Sequence, residues 1–284
     1  MIRLAADDWE CRLRPEIGGC VAALRRGGID ILRPMPPASK EPLDSACFPL
    51  VPFCNRVAGG RFRFGNHDVA LSPNHLPEPH ALHGLGWHRS WSVVISEPDH
   101  ARLVHAHDGK SGWPWPYHSE QNVRLGPDGL EITLAVINLS EEPAPAGLGL
   151  HPYFRRSDQT VVQFTATSLL LSGPALLPTG EEVDPDALAA WSIGATPPAA
   201  TVDHCHTGWS GSARIIDELG EICLSASNAN YLHVYAPTQG SALCLEPVSH
   251  RPDALNMCPE DMQVLLPGET LSITMRIAVA AATQ

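Results

Sequence analysis

The chain has 284 residues, of which 44% are hydrophobic and 18% are charged, so it can bury a large core and stay soluble. Asp and Glu outnumber Lys and Arg by 31 to 19, which gives a formal net charge of −12. Such a surface repels polyphosphates and anionic lipids, so the composition argues against nucleic-acid and membrane partners. The longest apolar runs, such as residues 277–282, are too short to cross a bilayer.

The first residues indicate a cytoplasmic protein. Acidic residues stand at Asp7 and Asp8, where a signal peptide would be apolar. The eight cysteines are scattered and form no C-x-x-C pair. In a reducing compartment they are therefore expected to be free thiols, most of them buried.

Short apolar or alternating runs, broken by Gly, Pro, Asn and Asp, predict β-strands along the whole chain. The predicted strands are residues 9–13, 28–32, 91–95, 101–107, 121–125, 130–137, 161–164, 213–216, 231–235, 242–245 and 271–279. Turn-forming residues at 126–129 and 217–220 predict two hairpins between neighbouring strands. Only residues 184–191 and 252–257 are typical of short helical turns.

The frequency of proline and glycine indicates the fold class. With 27 prolines and 23 glycines, long helices are disfavoured, and no helical pattern alternates with the strands. No internal repeat is present, and no loop is long and polar enough to separate two folding units. The sequence therefore predicts an all-β protein, a large antiparallel β-sandwich that forms a single domain over residues 1–284.

Two charged residues interrupt apolar runs. Arg56 follows Asn55 in the segment Val-Pro-Phe-Cys-Asn-Arg-Val. It is either an edge-strand arginine with its head in water or a fixed donor into a polar pocket. Glu246 lies in the run Leu-Cys-Leu-Glu-Pro-Val. It either points outward into water or is buried, in which case its pKa rises toward the range of a general base.

Two histidines stand beside glycine-rich or apolar segments. His83 lies in the segment 80–88, which has three histidines and two glycines and suits a sugar-binding loop, a metal cluster or an ordinary turn. His151 ends an apolar, glycine-rich run and precedes a proline, so it is either a half-buried core residue or a positioned catalytic group. No H-x-H is followed by the Glu and later His of a cupin-type site, so no metal is predicted.

Taken together, these segments resemble the aldose 1-epimerase (galactose mutarotase) family. The matching motifs are Asn-Arg followed by Gly-x-Phe, His-Gly, His-Pro-Tyr-Phe and Glu-Pro, in this order from about residue 48 to the end of the chain. His-Pro-Tyr-Phe is the most specific of them, and His-Gly alone is weak. The resemblance implies a galactose-mutarotase-type supersandwich that uses neither metal nor cofactor. The lack of a G-x-G-x-x-G or P-loop segment agrees with this.

The resemblance also implies roles for individual residues. His151 would be the general acid and Glu246 the general base, while Arg56, His83 and Asn55 would bind a small-molecule sugar. The protein would act as a monomer or homodimer.

Asp203 is a softer match. The segment Val-Asp-His-Cys followed by Gly-Trp is similar to the family's aspartate segment, whose carboxylate binds sugar hydroxyls. Asp203 could equally be a solvated loop residue.

The implied reaction is interconversion of the α and β anomers of a free aldose by acid–base ring opening and closure, with the two groups on opposite sides of the sugar. The alternatives are a hexose-6-phosphate mutarotase, for which Arg155 and Arg156 could hold the phosphate, a non-catalytic carbohydrate-binding domain, and a metal-dependent isomerase. Trp113, Trp115 and Tyr117 could form an aromatic sugar platform, but packing in the core is favoured.

Overall fold

The computed structural model describes residues 1–240 and 242–280, and in these ranges almost all regular structure is β. The first strands are β1 Ile2–Ala6, β2 Trp9–Arg14, β3 Cys20–Arg26, β4 Ile29–Asp30, β5 Cys47–Leu50, β6 Arg56–Val57, β7 Arg61–Phe64, β8 His67–Ala70, β9 Ala81–Leu82, β10 Ser92–Ser96, β11 His100–His107, β12 Tyr117–Gly126 and β13 Gly129–Asn138. The remaining strands are β14 Ala144–Ala146, β15 Gly149–Arg155, β16 Val161–Phe164, β17 Ser168–Ser172, β18 Pro178–Val183, β19 Val202–Thr207, β20 Ser212–Asp217, β21 Gly220–Ser227, β22 Tyr231–Ala236, β23 Ala242–Val248, β24 Gln263–Leu265 and β25 Thr270–Val279. A short helix, α1, spans Ala254–Met257, and single 3₁₀ turns lie at Pro42–Asp44, Ala58–Gly60, Gly86–His88 and Pro259–Asp261.

Two large sheets contain most of these strands. The first runs β1-β2-β3-β5-β15-β23-β22-β19-β17-β18, with β4 beside β3, and the second runs β10-β11-β12-β13-β25-β21-β20-β16. Neighbouring strands in both sheets are antiparallel. Apolar side chains of the two sheets share one core, for example Leu150 and Leu245 with Leu134 and Ile273. The predicted all-β, antiparallel sandwich is confirmed.

Alternation of apolar and polar residues explains how the strands face this core. In β13 every second residue is buried, which follows from the period of two along a strand. The predicted hairpins are present, because Gly126 pairs with Gly129 and Asp217 with Gly220 across two-residue turns. Each predicted strand coincides with an observed one, although residues 28–32 supply only the two-residue β4.

The prediction of a helical turn at residues 184–191 is wrong. The Asp184 carboxylate accepts a bond from the Asp186 amide, and the Asp186 carboxylate accepts one from the Ser192 amide. These side-chain bonds form turns that compete with a helix, and Pro185 also disfavours helical backbone at the residue before it. The second predicted turn, at 252–257, is correct and contains α1.

All eight cysteines fall within the described ranges and are free thiols, six of them buried, as predicted. Among the described residues, no helix is long and apolar enough to cross a membrane.

Candidate active site

The two strands that carry the predicted acid and base lie side by side at the centre of the first sheet. β15 is buried along almost its whole length and β23 throughout, because each has a strand on both sides. Tyr153 pairs with Cys244, and on the other edge of β23 Glu246 pairs with His233 of β22. Since alternate residues share a face, this register aligns His151, Glu246 and His233 in one row across three strands.

His151 and Glu246 are in direct contact, with 3.2 Å between Nε2 and Oε1. The expectation that the two groups flank the sugar on opposite sides is therefore wrong: cross-strand pairing brings them together on one wall. β15 also does not end at His151, because the strand continues through Pro152, which pairs with Cys47. The imidazole stacks on Phe48 at 4.6 Å between ring centroids and on Tyr153 at 4.7 Å, which orients it.

Two loops close over this wall and hold each other. Asn55 and His83 both have left-handed backbone, with φ of 55° and 57°. The His83 amide donates to the Asn55 carbonyl at 2.8 Å, and the Asn55 amide donates to His83 Nδ1 at 3.1 Å. These reciprocal bonds stabilise a conformation that is unfavourable for residues other than glycine.

Arg56 is buried and its charge is paired. Its Nε and Nη2 donate to the two carboxylate oxygens of Glu78 at 2.7 and 3.1 Å. Its Nη1 lies 3.7 Å from Asp203 Oδ2, and Asp203 Oδ1 accepts a 2.6 Å bond from His233 Nε2. Of the two sequence interpretations, the pocket arginine is the one observed, and Asp203 is a half-buried member of the same network.

One cavity of about 600 Å³ joins all six residues that the sequence singled out. This volume lies in the range typical of small-molecule pockets, roughly 300–1,000 Å³. Tyr153 and Tyr235 supply its aromatic surface. The lining includes Arg33, Leu43, Asn55, Arg56, Glu78, His83, His151, Tyr153, Asp203, His233, Tyr235, Ala242 and Glu246.

Burial sets the protonation of the acid–base pair. Loss of hydration raises the pKa of Glu246 to about 8, although the charge of His233 opposes the rise. Loss of hydration also lowers the pKa of His151 to about 3, helped by the charge of His233. At neutral pH Glu246 is therefore protonated and His151 is neutral, so the pair shares a single proton.

His233 and Asp203 have the opposite character and form an ion pair. Burial lowers the pKa of His233, but the bonds with Asp203 and Cys205 outweigh burial and raise that pKa to about 10. Burial raises the pKa of Asp203, yet the bond from His233 brings its pKa below the ordinary value. Both groups are charged at neutral pH.

Sequence reasoning missed three charged residues of the cavity wall, His233, Glu78 and Arg33. His233 stands between Leu232 and Val234 in a predicted strand, which is the same signal that singled out Glu246. Glu78 stands between two prolines in a loop and carries no periodic signal.

His83, His151 and Glu246 offer ligand atoms within 4.8 Å of one another, close enough to hold a metal ion. A histidine ligand normally donates its other ring N–H to an acceptor. Here His83 Nδ1 accepts a hydrogen bond from the Asn55 amide, so the neutral ring carries its proton on Nε2. A protonated Nε2 has no free lone pair with which to bind a metal ion. In the described residues, His151 Nδ1 is buried without any partner. The arrangement therefore fits a metal poorly.

The aromatic segment at 113–117 lies away from the cavity. Trp113 packs on Phe53 and Phe62, Trp115 packs on Phe62, and Tyr117 is buried at the start of β12. The packing interpretation is confirmed, and the sugar-platform alternative is wrong.

Arg155 and Arg156 do not form a phosphate site in the cavity. Arg155 donates to both carboxylate oxygens of Asp217 at 2.6 and 2.9 Å. Arg156 donates to the Pro237 carbonyl at 2.8 Å. Both guanidinium groups serve the structure outside the cavity wall.

Comparison with known proteins agrees with this fold, a large antiparallel β-sandwich with a polar pocket on one sheet. The profile of the aldose 1-epimerase family matches residues 13–278, and the chain belongs to that family. The chain is 35% identical over 276 residues to Escherichia coli (strain K12) protein YphB, described as uncharacterized, covering 92% of this chain and 93% of YphB.

Two solved structures have the same architecture. One is an Escherichia coli K12 protein provisionally named an aldose 1-epimerase, with a TM-score of 0.91, 32% identity and 98% of both chains covered. The other is a galactose mutarotase-like protein from Clostridium acetobutylicum, with a TM-score of 0.84, 20% identity, and 98% of this chain and 94% of that chain covered. The predicted family and its galactose-mutarotase-type fold are thus confirmed.

Proposed function

We propose that the protein is an aldose 1-epimerase that interconverts the α and β anomers of a free aldose, with His151 and Glu246 as its acid–base pair. The observation that carries the proposal is the 3.2 Å contact of these two groups in the wall of a sugar-sized cavity. Burying a carboxyl group in an apolar strand costs free energy. A non-catalytic sugar-binding domain gains nothing from such a buried pair that would offset this cost.

Ring opening needs two proton transfers at neighbouring atoms. The anomeric hydroxyl and the ring oxygen are both bonded to C1, so two groups in contact with each other can serve both. The shared proton first moves from Glu246 to His151 across their 3.2 Å contact. Glu246 then takes the hydroxyl proton while His151 gives a proton to the ring oxygen. The bond between C1 and the ring oxygen breaks, and C1 becomes an aldehyde carbon.

Ring closure reverses the transfers after rotation about the C1–C2 bond. Opening leaves Glu246 protonated and His151 neutral, which is the protonation state that burial favours. Glu246 then returns its proton to the aldehyde oxygen while His151 takes the proton of the C5 hydroxyl. Each half-reaction moves one proton between the pair through the sugar, so the pair is restored after each turnover.

The charged groups beside the pair suit sugar hydroxyls. Arg56 and Asp203 are held in place by Glu78 and His233, so their remaining donor and acceptor positions are oriented before the sugar binds. His83 presents its Nε2–H as a further donor. Such groups fix the ring while C1 reacts.

The direct test is exchange of anomers without any added metal or nucleotide. We expect purified, chelator-treated protein to accelerate α–β exchange of free aldoses, followed by NMR magnetisation transfer or coupled polarimetry across a sugar panel. His83 cannot ligate through Nε2 while Nδ1 accepts the Asn55 amide, so chelation should leave the rate unchanged. Loss of activity in chelator with recovery on adding one metal would contradict the proposal.

The shared proton predicts the pH profile of kcat/KM. Between the pKa values of about 3 for His151 and about 8 for Glu246, the pair holds one proton. Below this window it gains a second proton and can no longer accept one, and above it the pair has no proton to give. We therefore expect a broad plateau that falls as pH rises through about 8. An alkaline limb near 6.5, the ordinary pKa of histidine, would show that burial does not control the pair.

A further inference from the structure

Arg33 lies in the wall of the cavity beside Tyr153. Its guanidinium carbon is 3.8 Å from the centroid of the Tyr153 ring. Its Nη2 donates to the carbonyls of Leu43 and Ser45 at 2.6 and 2.9 Å. The charge is thus held on the face of Tyr153 by three separate contacts.

The charge of Arg33 is the one in the described wall that lacks a counter-ion. Arg56 is paired with Glu78, and His233 is paired with Asp203. The remaining acid–base pair shares a proton and is neutral as a unit. Across residues 1–240 and 242–280, no carboxylate lies within ion-pair distance of Arg33.

The hydrogen-bonding capacity of Arg33 is also incompletely used. Its Nε is buried and has no partner in the described ranges, and Nη1 makes no hydrogen bond to a described residue. A guanidinium held near a low-dielectric wall with one N–H₂ group free attracts an anion strongly. Arg33 can therefore bind an anion through its free N–H groups.

The proposed chemistry defines which part of a sugar faces Arg33. His151 protonates the ring oxygen, and C5 is bonded to that oxygen. Tyr153 follows His151 on the same face of β15, with ring centroids 4.7 Å apart. A C5 substituent that extends along this face of β15 from His151 crosses Tyr153 and reaches Arg33.

We propose that the cavity selects an aldose whose C5 substituent is anionic, and that Arg33 is the residue that binds this anion. The inference rests on the proposed aldose 1-epimerase function. A carboxylate, as in a hexuronic acid, matches the single free charge of Arg33. A phosphate group carries about −1.5 to −2 charges at neutral pH. The wall residues in contact with Arg33, Leu43 and Tyr153, bring no second cation.

The experiment compares anomer exchange of glucose and galactose with that of glucuronate, galacturonate and glucose 6-phosphate at constant ionic strength. Wild-type protein should have a higher kcat/KM for each hexuronate than for the matching hexose, by roughly 10- to 100-fold, the range of one charge-assisted hydrogen bond. Arg33→Gln should abolish this preference by raising KM for the hexuronates, with the neutral sugars changed less than about 3-fold.

Two further variants separate charge from fold. Arg33→Lys also loses the two-carbonyl anchor but keeps the charge, so it should retain most of the preference. Arg12→Gln removes an exposed charge outside the cavity, and its sugar preference should equal that of wild type. Equal losses for neutral and acidic sugars in Arg33→Gln would show a purely structural role and overturn the inference. A preference of wild type for neutral hexoses would also overturn it, and a preference for glucose 6-phosphate would overturn the carboxylate assignment.

Titration calorimetry distinguishes failure of this inference from failure of the proposed function. If wild type exchanges the anomers of neutral hexoses and shows no preference for acidic sugars, the aldose 1-epimerase proposal is supported and the role of Arg33 is overturned. A second outcome is that no sugar is exchanged, but glucuronate binds more tightly than glucose and Arg33→Gln removes the difference. The anion site is then supported and the aldose 1-epimerase proposal is overturned. If neither sugar is bound or exchanged, both are overturned.

Discussion

Glu246→Gln and His151→Asn should each lower kcat for anomer exchange by about 10²–10⁴-fold while the sugar still binds. Each substitution keeps the approximate shape of the side chain and removes its ability to exchange a proton. Because the pair shares one proton, a site with only one titrating member can neither open nor close the ring. The double variant should therefore cost little more than either single variant.

The measurement is exchange by magnetisation transfer, with KM and melting temperature recorded for every variant. His105→Asn is the matched control, since His105 is a buried histidine on β11 outside the cavity wall, and its kcat should stay at the wild-type value. Retention of most turnover in Glu246→Gln would mean that another residue is the base. Multiplicative losses in the double variant would mean that the two groups act independently.

The fold was largely predictable because its strands follow a simple local rule. In β13 and in the middle of β25 buried and more exposed residues alternate, so the sequence indicates which face of each strand packs into the core. The order of strands in the sheets was not predictable. β13 pairs with β25 although more than a hundred residues separate them, and periodicity within a strand says nothing about its neighbour.

The candidate site was predictable where a polar residue interrupts an apolar run. Glu246 gives this signal, and His233 gives it too but was interpreted as an ordinary strand residue. What the sequence could not show was the partner of each charge. Burial of Arg56 depends on Glu78, and the ionisation of His233 depends on Asp203. Both are contacts between distant segments, so they arise only in the folded chain.

The weakest motif in the sequence, His-Gly, depends on packing that only the fold reveals. Gly84 has a φ of +73°, and a Cβ atom there would overlap the Val51 carbonyl and the Pro52 nitrogen. The Val51 carbonyl also accepts the amides of Leu85 and Gly86 at 2.9 and 3.1 Å, so it cannot move away without breaking both bonds. This close approach of two backbones keeps the neighbouring His83 in place.

Gly84→Ala should therefore destabilise the fold by roughly 2–4 kcal/mol, combining about 1 kcal/mol for a left-handed alanine with the cost of an overlap that no side-chain rotation relieves. The melting temperature should fall by roughly 5–15 °C, and kcat/KM should fall at least about 10-fold below the transition because His83 and Asn55 are displaced together. Gly65→Ala is the control, since Gly65 has a φ of +56° and no atom within 4 Å of the added carbon. It should lose only the backbone contribution of about 1 kcal/mol and exchange anomers normally. If the two variants melted at the same temperature, the contact with Val51 would be able to relax, and the His-Gly motif would need another explanation.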